Sequence, residues 1–101
     1  MAFDAIITRS AEKDRNAIIE YLLGVLGTRG TAERFLDEFE HVIEIIGQDA
    51  RTYPLSQEPR LERLGIHKAP FMNYLALYDI SDGQARILRL FHQSQDYARL
   101  I

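Results

Sequence analysis

The sequence reads as an α+β domain: a small antiparallel-type sheet, built from an N-terminal strand and a C-terminal three-stranded meander, with an α-helical hairpin packed on one face. Three observations carry this. Residues 11–46 hold two apolar series at helical spacing, separated by glycines. Residues 66–92 change to dense apolar, β-branched and aromatic runs. Asp82-Gly83 sits between two of those runs, where a two-residue hairpin turn belongs. At 101 residues, with no internal repeat or low-complexity tract, 1–101 reads as a single domain.

Phe3–Thr8 (FDAIIT) is short and β-branched, which suits a strand. Ser10 offers an N-cap hydroxyl, and Glu12 and Asp14 are expected in the first turn of the helix that follows, where the helix dipole favours acids. Ala11, Ile18, Ile19, Leu22, Leu23 and Leu26 form its apolar stripe, and Gly27 and Gly30 break it. Thr31 is placed to cap a second helix. Its apolar face is Ala32, Phe35, Leu36, Phe39, Val42, Ile43 and Ile46, its wet face Glu33, Asp37, Glu40 and Glu44, and Gly47 is its expected end. Residues 48–64 are polar and hold Pro54 and Pro59, so they read as a loop with room for one turn of helix. Ile66–Ala69 is a short strand stopped by Pro70, which suits an edge or strand-end position. Met72–Ile80 is apolar on both faces, as a central strand is. Gln84–His92 returns as its partner, and Asp96–Ile101 closes with a helical turn.

Composition narrows the function classes. Apolar residues are 47% and charged residues 27%, an ordinary globular balance. No run approaches the roughly 20 apolar residues that cross a bilayer, and MAFDAIITRS has no signal-peptide layout. There is no cysteine, hence no disulfide, thiolate metal site or thiol nucleophile, and a cytoplasmic location is expected. The net charge of −3 divides unevenly, with five basic and ten acidic residues in 1–50 against seven and five in 51–101. A net acidic chain is a poor general polyanion binder, so any nucleic-acid role needs a local patch.

No P-loop, dinucleotide turn, His-Glu-x-x-His, EF-hand or nucleophile elbow is present, and no metal or cofactor is expected. His41 falls at the edge of the second helix's exposed face. His67, beside Lys68, reads as a solvated strand edge. His92 ends the last strand near Asp96 and Tyr97, where it suits either acid–base work or a hydrogen bond pinning the C-terminal turn. Arg86 and Arg89 are three apart on one strand, which places them on opposite faces of a regular sheet.

This order, together with Ala32-Glu33-Arg34-Phe35 opening the second helix, Tyr74-Leu75-Ala76-Leu77-Tyr78-Asp79-Ile80, and Ala85-Arg86-Ile87-Leu88-Arg89-Leu90-Phe91-His92 followed by Asp96, resembles the RelE/ParE toxin superfamily of type II toxin–antitoxin modules. The resemblance covers almost the whole chain. It implies a toxin neutralised by a cognate antitoxin whose C-terminal segment folds onto it, and it implies one of two activities. A RelE-like member is a ribosome-dependent mRNA endoribonuclease; carried over by position, that reading uses Lys68, Arg86, Arg89, His92 and Tyr97. A ParE-like member binds a target such as DNA gyrase without hydrolysis; the target- or antitoxin-binding residues would then be His67, Lys68, Arg86, Arg89 and Asp96. The negative net charge, the sparse basic residues of the strand region and the His92–Asp96 ending favour the ParE side, while Ser94 and Gln95 stand where ParE-like members often carry arginines. A domain that binds only its antitoxin is the third reading.

Overall fold

A computed structural model describes residues 4–25, 27 and 29–101. The chain runs β1 (Asp4–Ile7), α1 (Arg9–Glu20), a π-helical turn (Tyr21–Val25), α2 (Arg29–Gln48), α3 (Pro59–Arg63), β2 (His67–Phe71), β3 (Tyr74–Ser81), β4 (Gln84–His92) and α4 (Tyr97–Leu100). The four strands form one sheet in the order β1-β4-β3-β2. β2, β3 and β4 are the expected antiparallel meander, but β1 runs parallel to β4, so the sheet is mixed rather than antiparallel throughout. Parallel entry is possible because the helical pair forms the long crossover that such a strand needs. Phe3 and Leu26, assigned above to a strand and a stripe, lie outside the described residues.

Each helix boundary differs from its sequence expectation for a local reason. Thr8, not Ser10, caps α1: its Oγ1 accepts from the Ala11 N–H and donates to the Ile87 carbonyl at 2.7 Å, which ties the strand end to the helix start. Only Glu12 then lies in the first turn, and Asp14 sits one turn further on. The helix changes to π geometry at Tyr21, which alters its angular period, and Leu23, expected in the stripe, is left 47% exposed. Gly27, at φ +63°, lies between the π-helical turn and α2. Gly30 and Thr31 are already inside α2, whose first turn needs no intrahelical acceptors for its N–H groups. That helix also continues one residue past Gly47. Its stripe is as expected at Ala32, Phe35, Phe39, Val42 and Ile46, all buried, while Leu36 lies at the stripe's margin and is exposed.

The two helices cover one face of the sheet. Ala11, Leu22, Phe35, Phe39, Val42 and Ile46 share one buried cluster with Ala69, Phe71, Ala76, Tyr78, Ala85, Ile87 and Leu90. Its centre is aromatic, with Phe35 5.5 Å from Phe71 and 5.0 Å from Tyr74, the latter edge-on. The other face carries a smaller cluster of Leu61, Ile66, Leu77 and Phe91 under Leu88, Tyr97, Ala98 and Ile101. β3 therefore is buried on both faces, as its composition requires. It starts two residues later than expected, because Met72 (φ +52°) and Asn73 make the turn from β2. Pro70 does not stop β2; it lies inside that strand, at the sheet's edge, where a missing N–H costs no ladder bond. Asp82 (φ +50°) and Gly83 (φ +76°) form the β3–β4 turn, with both central residues left-handed.

One irregularity in β4 matters for function. Tyr78 pairs with Ile87 and Leu77 with Arg89, so one extra residue stands on β4 opposite that step. Arg86 faces Asp79 and Arg89 faces Leu77; positions 77 and 79 point the same way on β3, so both arginines lie on one face. The expected opposite placement fails because a bulge resets the alternation.

Candidate functional site

β1 accompanies β4 only as far as Ile87. Beyond it, the outward N–H groups of β4 are met by side chains. Asp14 Oδ2 accepts from the Leu90 N–H at 2.9 Å, and Gln95 Oε1 accepts from the His92 N–H at 2.8 Å. Asp14 also takes Arg89 in a bidentate pair, Nε at 2.7 Å and Nη2 at 3.2 Å. Arg89 is thereby drawn to the β4 edge, where Nη1 reaches the Leu100 carbonyl at 3.3 Å and the guanidinium lies 4.7 Å from the Phe91 ring centre.

Next to this edge the helical pair stands off the sheet and leaves an open groove of about 890 Å³. Ile18, Tyr21 and Leu22 form one wall, Tyr74, Leu90 and His92 the other, and Met72 and Leu100 also line it. Its size and its mixed apolar and polar lining fit a ligand- or peptide-binding cleft. The His92 ring meets Tyr74 edge-on at 5.5 Å. Its Nδ1 receives the Ser94 N–H at 3.1 Å and lies 2.7 Å from Ser94 Oγ. With Nδ1 acting as acceptor, the neutral ring carries its proton on Nε2. The histidine thus pins the turn after β4, by accepting through its ring rather than donating.

The remaining sequence candidates are dispersed. Arg86 is held by Asp79, Nε to Oδ1 at 2.9 Å and Nη2 to Oδ2 at 2.6 Å, and that carboxylate raises the pKa of the guanidinium still further. His67 is no solvated edge: it is half-buried, stacks on Tyr78 at 4.9 Å, and its Nδ1 donates to the Tyr53 carbonyl at 2.7 Å. Tyr78 donates in turn to the Ala50 carbonyl at 2.7 Å, and burial drives its phenol pKa far up. Lys68 lies 5.9 Å from the ring centre of Tyr97, which packs into the small cluster on the face away from the helices. Asp96 stands exposed, 3.9 Å from Arg99. Of the residues singled out from sequence, only Arg89 and His92 line the groove. Asp14, Tyr21 and Tyr74 line it too and were passed over. Asp14 reads as a helix-start acid, Tyr74 as a strand residue, and Tyr21 was not singled out; the i, i+4, i+7 register of Asp14, Ile18 and Tyr21 was the signal available. Among the described residues no cluster of three or more histidine or acidic side chains could hold a metal, and no helix is long and apolar enough to cross a membrane.

Comparison with known proteins bears on this geometry. The family model described as the ParE toxin of the type II toxin–antitoxin system, parDE, matches residues 5–97, which is nearly the whole fold and all of the groove lining except Leu100. The chain belongs to the ParE toxin family. Among solved structures, it is similar to the chromosomal ParDE TA system from P. aeruginosa, with 18% identity, a TM-score of 0.70, and coverage of 90% of this chain and 96% of that one. It is also similar to the toxin–antitoxin complex RelBE2 from Mycobacterium tuberculosis, with 17% identity, a TM-score of 0.53, and coverage of 91% and 99%. At such identities the likeness is one of fold. No curated protein sequence matches significantly. The RelE/ParE resemblance read from the sequence is thus met by both comparisons, and the chain is a toxin of the type II toxin–antitoxin class.

Proposed function

We propose that this ParE-family toxin arrests growth by binding a cellular target such as DNA gyrase, without hydrolysis of its own, and that a cognate antitoxin neutralises it by laying its C-terminal segment into the groove between the helical pair and the Tyr74–His92 end of the sheet. One observation carries the non-catalytic part: among the described residues, the groove that holds His92 has no unpaired cation. Cleavage by 2′-hydroxyl attack needs a base, an acid and a free cation around one phosphate. Here Arg86 is closed on Asp79 and Arg89 on Asp14, Ser94 takes only the Nδ1 of His92, and Lys68 lies over Tyr97, outside the groove. A ribosome-docking nuclease would also carry a basic surface, and this chain is net negative. The antitoxin part is supported by the groove's apolar lining and by the solved relatives, one described as a ParDE system and one as a RelBE2 toxin–antitoxin complex. The reading assigns the protein to the cytoplasm and needs no metal or cofactor.

The test is induced expression without antitoxin, followed by supercoiling assays with purified gyrase and primer extension on cellular mRNA. Growth arrest with inhibited supercoiling and intact transcripts is the expected result. New transcript ends would replace this reading with the endoribonuclease. Unimpaired growth would leave only a domain that binds its antitoxin.

A further inference from the structure

The polar groups of the groove have a consistent sense. Its carboxylate, Asp14, is committed to Arg89 and to the Leu90 N–H, so its charge is already compensated before any cation enters. Arg89 can only donate. His92, with the Ser94 N–H on its Nδ1, presents Nε2–H and is likewise a donor. The Tyr21 and Tyr74 phenols line the same space. Burial and the neighbouring Tyr21 push the Tyr74 phenol up, so it keeps its proton for donation at neutral pH. Thr31, Asn73, Ser94 and Gln95 also line the space but carry no charge, Gln95 Oε1 is taken by the His92 N–H, and the rest of the lining is apolar. A cation entering would find no free acceptor charge, whereas a carboxylate would find donors and no unpaired like charge.

We propose that the segment seated in this groove is amphipathic and presents one carboxylate side chain, flanked by apolar ones, to Tyr21, Tyr74 and His92. This rests on the reading of the groove as the antitoxin's seat and names the chemistry by which that partner is chosen. The aromatic rim selects; the apolar wall of Ile18, Leu22 and Leu90 supplies area. Asp14 and Arg89 neutralise each other, so the selecting charge comes from the partner.

Hexanoate, hexanamide and hexylamine are suitable probes, because they share one apolar tail and differ in the head group. Each is titrated into the isotopically labelled protein while the Leu90, His92 and Ser94 amides and the His92 ring are followed by NMR. Hexanoate is expected to bind at these signals about tenfold more tightly than hexanamide, the worth of a hydrogen bond to a charged group. Hexylamine should bind most weakly. Tyr74→Phe, which keeps the ring and its packing, should remove most of the preference; His92→Leu should do the same, and His92→Gln, which restores a donor, should recover it. Equal binding of the three probes, a preference for the amine, or shifts confined to other regions would overturn the proposal. Growth arrest by a protein with no carboxylate preference would refute this inference alone, and carboxylate preference in a chain that does not arrest growth would refute the toxin reading alone.

Discussion

Asp14→Ala tests whether the β4 edge is held as described. The carboxylate takes two hydrogen bonds from Arg89 and one from the Leu90 N–H, and its side chain is only 18% exposed, against 31% for Arg89. Removing it strands a backbone donor and a partly desolvated guanidinium. Hydrogen bonds to charged groups contribute about 1.5–3 kcal/mol net, and an unsatisfied donor costs about 1–3 kcal/mol. The terms overlap and the pair is partly solvated, so the expected loss is about 2–3 kcal/mol. Asp14→Asn keeps an acceptor for Leu90 and should lose only about 1 kcal/mol. Urea denaturation should report this as a lower midpoint at unchanged slope. In a double-mutant cycle, Arg89→Met should largely cancel the cost of Asp14→Ala, since it removes the stranded charge. The matching change at the other arginine, Asp79→Ala, should cost less, because the Asp79 carboxylate holds only Arg86 and no backbone donor. A loss below about 0.5 kcal/mol for Asp14→Ala, the scale of an ordinary surface change, would refute the reasoning. So would strict additivity with Arg89→Met.

Three further outcomes are expected. Phe35→Ala opens a hole among Phe39, Phe71 and Tyr74 and should cost about 3–5 kcal/mol by the same urea assay. Gly83→Ala forces a side chain to φ +76° and should cost about 1–2 kcal/mol. Stability should fall as the pH rises beyond about 10, the ordinary phenol value. The folded state holds the Tyr78, Tyr53 and Tyr74 protons more tightly than the unfolded chain, so the unfolded state loses protons first and gains from alkali. Tyr78→Phe should flatten that fall between pH 9 and 11, and an unchanged slope would argue against the buried phenol.

How much was legible depends on the range of the interactions involved. The α2 stripe, the Asp82-Gly83 turn and the doubly buried β3 follow from periodicity and turn chemistry, which act within a few residues. The Ser10 cap failed because the Thr8 hydroxyl takes the same role earlier in the chain, while Gly30 and Thr31 fell inside α2. His67 was misread because its partners, Tyr53 and Tyr78, are 14 and 11 positions away. Asp14 was misread because the groups it serves are about 75 positions off.

By itself, the sequence determined the kinds and order of elements and which helix faces are apolar, since those depend on side-chain spacing along a local backbone. Only the tertiary structure decided that β1 enters parallel, that a bulge brings Arg86 and Arg89 to one face, and that the helical pair leaves Tyr21, Tyr74 and His92 around an open groove. These depend on strand register and on how far two packed layers overlap, and both are set by contacts between residues distant in the chain.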